Sequence, residues 1–328
     1  MGWLAASGSM QSLASKMETN TMKSFISAIV ACAFVVATTC RMTDAAAEDI
    51  GNSLPLDERA LQAEWQDLDE KQAGELTLRN MRGLVRAMHK YDEEHGSLPP
   101  AVVPNPHLPP EKRLSGFVLL LPFLDATDFA RDGKEGQRFF NDDLSAMAKS
   151  VGETIDLTKA WDDPVNLKAA RTLIPALLAP RGGPFRDKNG YAVSHFAFVR
   201  GANGKDDGVF NETVGITFLD ADEVIADGSV STFALGQIND TLGPWTAAGP
   251  ATSRHAYHPS DAVKSPTFGG PNEGGCYFVN CDSSAYFLAI DKTAAADFHA
   301  LATRAGSEPI DSSALPRFKN VLEWKRAK

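Results

Sequence analysis

The chain has 328 residues, 43% hydrophobic and 23% charged, enough for one large domain or two small ones. Its net charge of −10, with no segregated basic patch, argues against a footprint for nucleic acid or an anionic membrane surface. Its two basic clusters, Arg79/Arg82/Arg86/Lys90 and Lys319/Lys325/Arg326/Lys328, read as solvated faces.

Met22-Lys23-Ser24 followed by the apolar run Phe25 to Thr39 has the form of a secretory leader, and Ala45-Ala46-Ala47 offers an A-x-A cleavage site. Residues 1–47 are therefore expected to be an N-terminal extension and leader, with Met22 as an alternative start and a mature chain beginning Glu48-Asp49. At about 15 residues the run is short of the roughly 20 that span a bilayer. A retained anchor through residues 25–39 and lipid attachment at Cys40 stand as the alternatives, and a membrane is expected to be a partner only through one of them. Of the four cysteines, Cys276 and Cys281 would remain in the mature chain, in a compartment that permits disulfides. On a straight strand they would be about 16 Å apart, so two free buried thiols are favoured over a bond.

Asn52 or Ser53 as cap, Pro55, and Asp57-Glu58 signal a helix start. Leu61, Trp65, Leu68, Gln72 and Leu76 mark one face, and the periodicity continues through Leu78, Met81, Leu84, Val85, Met88, Tyr91 and His95. The spacing predicts one helix from about Leu56 to Glu94, weakest near Gly74 and about 60 Å long. Gly96 can close it in a left-handed conformation and Pro99-Pro100 cannot continue it.

Ala101 to Pro110 is a proline-rich loop, and Gly116 to Leu124 suits either a buried strand or a short helix. Short strands are expected at Tyr191 to Val199, Val214 to Leu219, Val230 to Leu235, Cys276 to Val279 and Ala285 to Ile290. With no helical crossovers between them, the sheet should be antiparallel. Thr293 to Arg304 predicts a short C-terminal helix. The fold class is thus α+β, a long N-terminal helix packed on an antiparallel sheet with irregular loops, in a single domain spanning 48–328.

Motifs that announce chemistry are missing: there is no G-x-S-x-G, no Walker loop, no G-x-G-x-x-G opening a helix and no C-x-x-C. His89 and His95 are six apart on the helix, out of register for a shared metal. His255, His258 and Asp261 are the most metal-like cluster, with a solvated loop as the expected state. Asn203, Asp206 and Asp207, and Asp220, Asp222 and Glu223, lack the ligand register of a calcium loop and read as turn residues. No cofactor and no catalytic residue is expected.

Several motifs carry a resemblance. Asn80-x-Arg82 through Ala87-x-His89-x-Tyr91 to His95-Gly96-Ser97-Leu98-Pro99-Pro100-Ala101, then Leu114-Ser115-Gly116 to Leu121-Pro122-Phe123-Leu124-Asp125, resemble the domain of unknown function 1559 family, planctomycete-type and pilin-like. Trp161, Pro164 and Asn166 resemble its W-x-x-P-x-N block, which in the family leads to C-P-S and here to Ala179-Pro180-Arg181. Asp227-Gly228 and Gly243-Pro244-Trp245-Thr246 follow, with Gln237 at a usual glutamate. The H-x9-D-G motif resembles Asn272-Glu273-Gly274-Gly275 to Asp282-Ser283, and Leu301 to Glu308 the closing L-x-T-R-x-G-G-E. The motif residues Asp227, Gly228, Asn272, Gly274, Gly275 and Asp282 are read as tight turns between strands.

The resemblance implies a pilin-like, non-catalytic cell-envelope protein related to pseudopilins, with envelope or pilus-like assembly components as partners. An extracytoplasmic solute-binding protein, for a carbohydrate or another solute, is the alternative. The family's prepilin motif G-F-T-L-x-E is absent around Ser24 to Thr39, which favours a periplasmic or surface-associated form.

Overall fold

Asp69 decides where the long helix begins. Its carboxylate accepts the Gln72 N–H at 2.8 Å while the Gln72 side chain accepts the Asp69 N–H at 2.9 Å, a reciprocal capping box. The expected single helix is therefore two, α1 (Glu58–Gln66) and α2 (Glu70–His95). The break falls at 67–69, and Gly74 lies buried inside α2 instead of marking a weak point. Asp69→Ala is expected to cost about 1 kcal/mol, the usual worth of an N-cap, read as a lower urea midpoint with an unchanged slope. Gly96 ends α2 with φ 72° and donates its N–H to Asp92 O at 2.7 Å, as expected of a left-handed cap.

The computed structural model describes residues 58–129, 142–210, 231–262, 266–271 and 275–306, and the strand expected at Val214 to Leu219 lies outside them. Among the described residues no helix is long and apolar enough to cross a membrane, and the run Phe25 to Thr39 lies outside them.

After α2 the proline-rich segment turns back so that Val103 N–H meets Leu114 O and Gly116 N–H meets Ala101 O. A Cβ on Gly116 would sit 2.1 Å from Pro100 O, so only glycine fits this backbone. The following apolar run is helical: α3 (Phe117–Leu120) passes into a 3-10 turn at Leu121–Phe123, whose first positions tolerate Pro122. The helices α4 (Ala126–Phe129), α5 (Asp142–Glu153) and α6 (Leu167–Arg171) complete the middle of the chain.

Five strands form one sheet: β1 (Phe196–Ala202), β2 (Phe233–Gln237), β3 (Ser253–Ala256), β4 (Cys276–Asn280) and β5 (Ala285–Leu288), in the order β3-β1-β2-β4-β5. The pairs β1/β2, β2/β4 and β4/β5 are antiparallel, as the absence of crossovers predicts. The β1/β3 pair is parallel, which makes the sheet mixed and departs from the antiparallel expectation. β3 is also the strand that its residues conceal, because Ser253-Arg254-His255-Ala256 has neither β-branched residues nor an apolar alternation.

Both faces of the sheet are covered. Along β1, Phe196 and Phe198 join the core beneath α2 while Ala197 and Val199 join the opposite one, and β4 alternates in the same way. On the first face Met81, Leu84, Val85 and Met88 of α2 are each 1% exposed or less. On the second, the short helix α7 (Ala295–Ala300) inserts Phe298, whose ring lies 5.7 Å from Phe278. Cys276 and Cys281 are free and buried, and burial pushes both thiols far above their usual pKa.

The basic stripe of α2 is only partly the solvated face its composition suggests: Arg86 is exposed, Arg79, Arg82 and Lys90 are half-buried, and Arg82, Arg86 and Lys90 bond across the fold. Arg82 Nε donates to Ser283 O at 3.1 Å, Arg86 Nη1 donates to Asp128 O at 2.5 Å, and Lys90 pairs with Asp125 and Asp128. The cations tie α2 to the β4–β5 turn and to α4. That reuse escapes a reading of helical periodicity, because the partners lie 35 to 201 residues away.

Just before β1, His195 is fully buried. Its Nδ1 accepts the Ala179 N–H at 3.0 Å and its Nε2 donates to Pro184 O at 3.2 Å. Loss of solvation lowers its pKa to about 4 from 6.5, so the ring is neutral in the folded chain. The unfolded chain takes up this proton as pH falls below about 6.5, and the folded chain resists until about 4, so stability drops across that window. Between pH 7 and 4.5 this one group should remove roughly 2–3 kcal/mol, and His195→Gln should abolish that share of the pH dependence in paired urea titrations.

Candidate functional site

The metal-like cluster separates in the structure. His255, on β3, points its Nε2 at Asp206 Oδ1, 3.0 Å away, and Asp206 is also held by Arg200 through two 2.9 Å bonds. His258 faces the other way and donates Nε2–H to Ile290 O at 2.8 Å and Thr293 O at 3.0 Å, while Nδ1 accepts from Ser260. Asp261 accepts the His258 N–H at 2.7 Å and meets His299 Nε2 at 3.0 Å. These bonds fasten the segment after β3 to α7. Among the described residues no group of three His, Cys, Asp or Glu is arranged to hold a metal ion.

The acidic turn after β1 behaves as turn chemistry predicts. Asp207 Oδ1 accepts the Ala202 N–H at 2.9 Å, and Asn203 has φ 53°. Asp220, Asp222 and Glu223 lie outside the described residues, as do Asp227, Gly228, Asn272 and Gly274. Asp282 Oδ1 accepts the Ser284 N–H at 2.8 Å in the tight β4–β5 turn, where Ser283 has φ 68°.

Other motif residues are structural staples. Asn166 is wholly buried: its amide donates to Asp156 O and Ala160 O and its carbonyl accepts from Asp156 N–H, closing the loop before α6. Trp245 is likewise buried and donates Nε1–H to Thr172 O, while Ser115 Oγ donates to Trp245 O at 2.6 Å. Each satisfies main-chain groups that burial would otherwise leave unpaired. His89 Nε2 adds a 2.7 Å contact to Cys281 O, tying α2 to the end of β4.

Among the described residues, two clefts offer places for a small molecule. One, of about 240 Å³, lies at the end of the sheet between Tyr257, Phe268, Gly270, Gly275, Cys276 and Asp291. Gln237 lies behind its Gly270 wall, nearly fully buried, with Oε1 3.4 Å from Tyr277 N and, among the described residues, Nε2 without a partner. The other, of about 410 Å³, lies between α1 and the segment after Pro180. It is lined by Gln62, Trp65, Gln66, Arg181, Gly183 and Phe185, and it falls in the size range of small-ligand sites. Asp282 lines neither cleft.

Periodicity places Trp65 on the apolar face of the first helix, but Arg181, which lines the same cleft, is distant in sequence and sits in a loop. Sequence reasoning therefore had no local signal for this cleft. The model of the family described as "Protein of unknown function (DUF1559)", named SBP_bac_10, matches residues 78–265. This chain belongs to the DUF1559 family. The match runs from within α2 to beyond β3 and takes in the buried staples Asn166 and Trp245. Both faces of the 410 Å³ cleft differ in this respect: α1 precedes the matched span, and Arg181 lies inside it. No curated protein and no solved structure matches this DUF1559 chain.

Proposed function

We propose that this chain is an exported, non-catalytic cell-envelope protein, similar in its helix-on-sheet plan to pseudopilins. The observation that carries the reading is how its chemically capable side chains are used. Both ring nitrogens of His195 and of His258 are engaged by hydrogen bonds, and Asn166 is spent on backbone groups. Burial holds the two thiols protonated, which removes the thiolate that nucleophilic chemistry needs. The leader-like run before Glu48 supports export. Expression with the leader in a Gram-negative host, followed by fractionation and N-terminal sequencing, tests it. A periplasmic or surface-associated chain beginning at Glu48 is expected, and a full-length cytosolic chain would contradict it.

A second reading, extracytoplasmic solute binding, is favoured by the open 410 Å³ cleft and by the name of the matching family model. A ligand that binds only the folded chain raises its melting temperature. Thermal shift against sugars, amino acids, organic acids and divalent cations should find such a ligand.

A further inference from the structure

The cleft between α1 and the segment after Pro180 has a composition at odds with the rest of this acidic chain. Its lining residues include one charge, Arg181, and no carboxylate. Gln62 and Gln66 stand one helical turn apart on α1 and present exposed amides beside it. Trp65 is 4% exposed, and among the described residues its indole N–H has no hydrogen-bond partner. Buried donors are normally paired, and an indole nitrogen can only donate, so this N–H is an unsatisfied group within the cleft's apolar wall.

Arg181 completes the pattern. Its Nη2 donates to Leu68 O at 2.8 Å, which anchors the guanidinium, and among the described residues Nε and Nη1 have no other partner. Its backbone adopts φ 63°, a conformation that residues other than glycine rarely take. Phe185 meets Trp65 edge to face at 5.4 Å and gives the cleft an apolar wall.

We propose that this cleft binds a small carboxylate with an apolar body, its oxygens taken by Arg181 and the exposed Gln62 and Gln66 amides and its body laid against the Trp65 and Phe185 wall. The assignment rests on the solute-binding reading and names its ligand class. A planar guanidinium paired with a carboxylate is among the stronger hydrogen-bonded contacts available, and it discriminates an anion from its neutral isostere. A sugar would instead be expected to meet carboxylate acceptors and an exposed aromatic face, neither of which this cleft offers.

Benzoate is the probe and benzamide its neutral counterpart, compared by titration calorimetry on the mature chain. Benzoate should bind with one site per chain, and benzamide should bind at least tenfold more weakly. Arg181→Gln, on an exposed side chain, should keep the melting temperature of the free protein within a few degrees and weaken benzoate roughly 10- to 100-fold. Equal binding of benzoate and benzamide, unchanged affinity in Arg181→Gln, or no saturable benzoate binding would overturn the assignment. If a neutral solute from the thermal-shift panel stabilises wild type and Arg181→Gln equally, the carboxylate site is wrong while the solute-binding reading stands.

Discussion

Leu84→Ala is expected to lower the unfolding free energy by about 3–5 kcal/mol, the upper part of the range for a leucine truncated in a close-packed core. Leu84 is fully buried on the face of α2 that covers the sheet, between Met81 and Met88, which are also excluded from solvent. The loss combines the transfer free energy of the missing methyl groups with the contacts forfeited by a core that collapses only in part. Glu93→Ala, on the exposed side of the same helix, should stay within about 0.5 kcal/mol. Urea titrations of the two variants make the comparison. A Leu84→Ala cost below about 1 kcal/mol would mean that this face is not docked as described.

Arg254→Ala is expected to cost a similar amount, about 3–5 kcal/mol, for a different reason. The Arg254 side chain is 1% exposed, and it gathers three loops by donating to Pro250 O at 2.6 Å, Asp240 O at 2.5 Å and Thr267 O. Burial pulls its pKa down, and its 2.7 Å bond to the Asp240 carboxylate pushes the other way. Asp240 is more than half exposed and would rehydrate after the substitution. The greater part of the loss should therefore come from buried carbonyls left without a donor. Arg254→Met, which keeps much of the apolar stem, should be nearly as harmful as Arg254→Ala. Arg254→Lys should recover only part, since one ammonium cannot reach three separated acceptors in the geometry of a guanidinium. A mild phenotype for Arg254→Met in the same titrations would contradict this account.

What could be read from the residues followed from local rules. The apolar stripe of α2, its stop at Gly96, the strands β4 and β5 and the short helix α7 all declare themselves within a few residues. The capping box at Asp69 and Gln72 was equally local, and a glycine five residues further on was the more conspicuous but weaker cue. β3 was hidden because what makes Ser253–Ala256 a strand is the edge of β1 and the burial of Arg254, not its own propensity. The pairing of Asp261 with His299 and the use of Arg82 and Arg86 as ties depend on contacts that only the fold creates. The same holds for the cleft at Trp65, whose two walls are more than a hundred residues apart.

The docking of α2 on the sheet is the claim on which the staples, the reuse of its cations and the non-catalytic reading all depend. Native-state hydrogen exchange tests it most directly, because amides protected only by global unfolding share one free energy of opening. The amides of Leu78 to Met88 are predicted to exchange with the same opening free energy as those of Tyr277 to Val279 in β4, and Leu84→Ala should lower both together. Exchange of the helix amides orders of magnitude faster than those of β4 would show that the helix opens on its own and that its apolar face does not form the core.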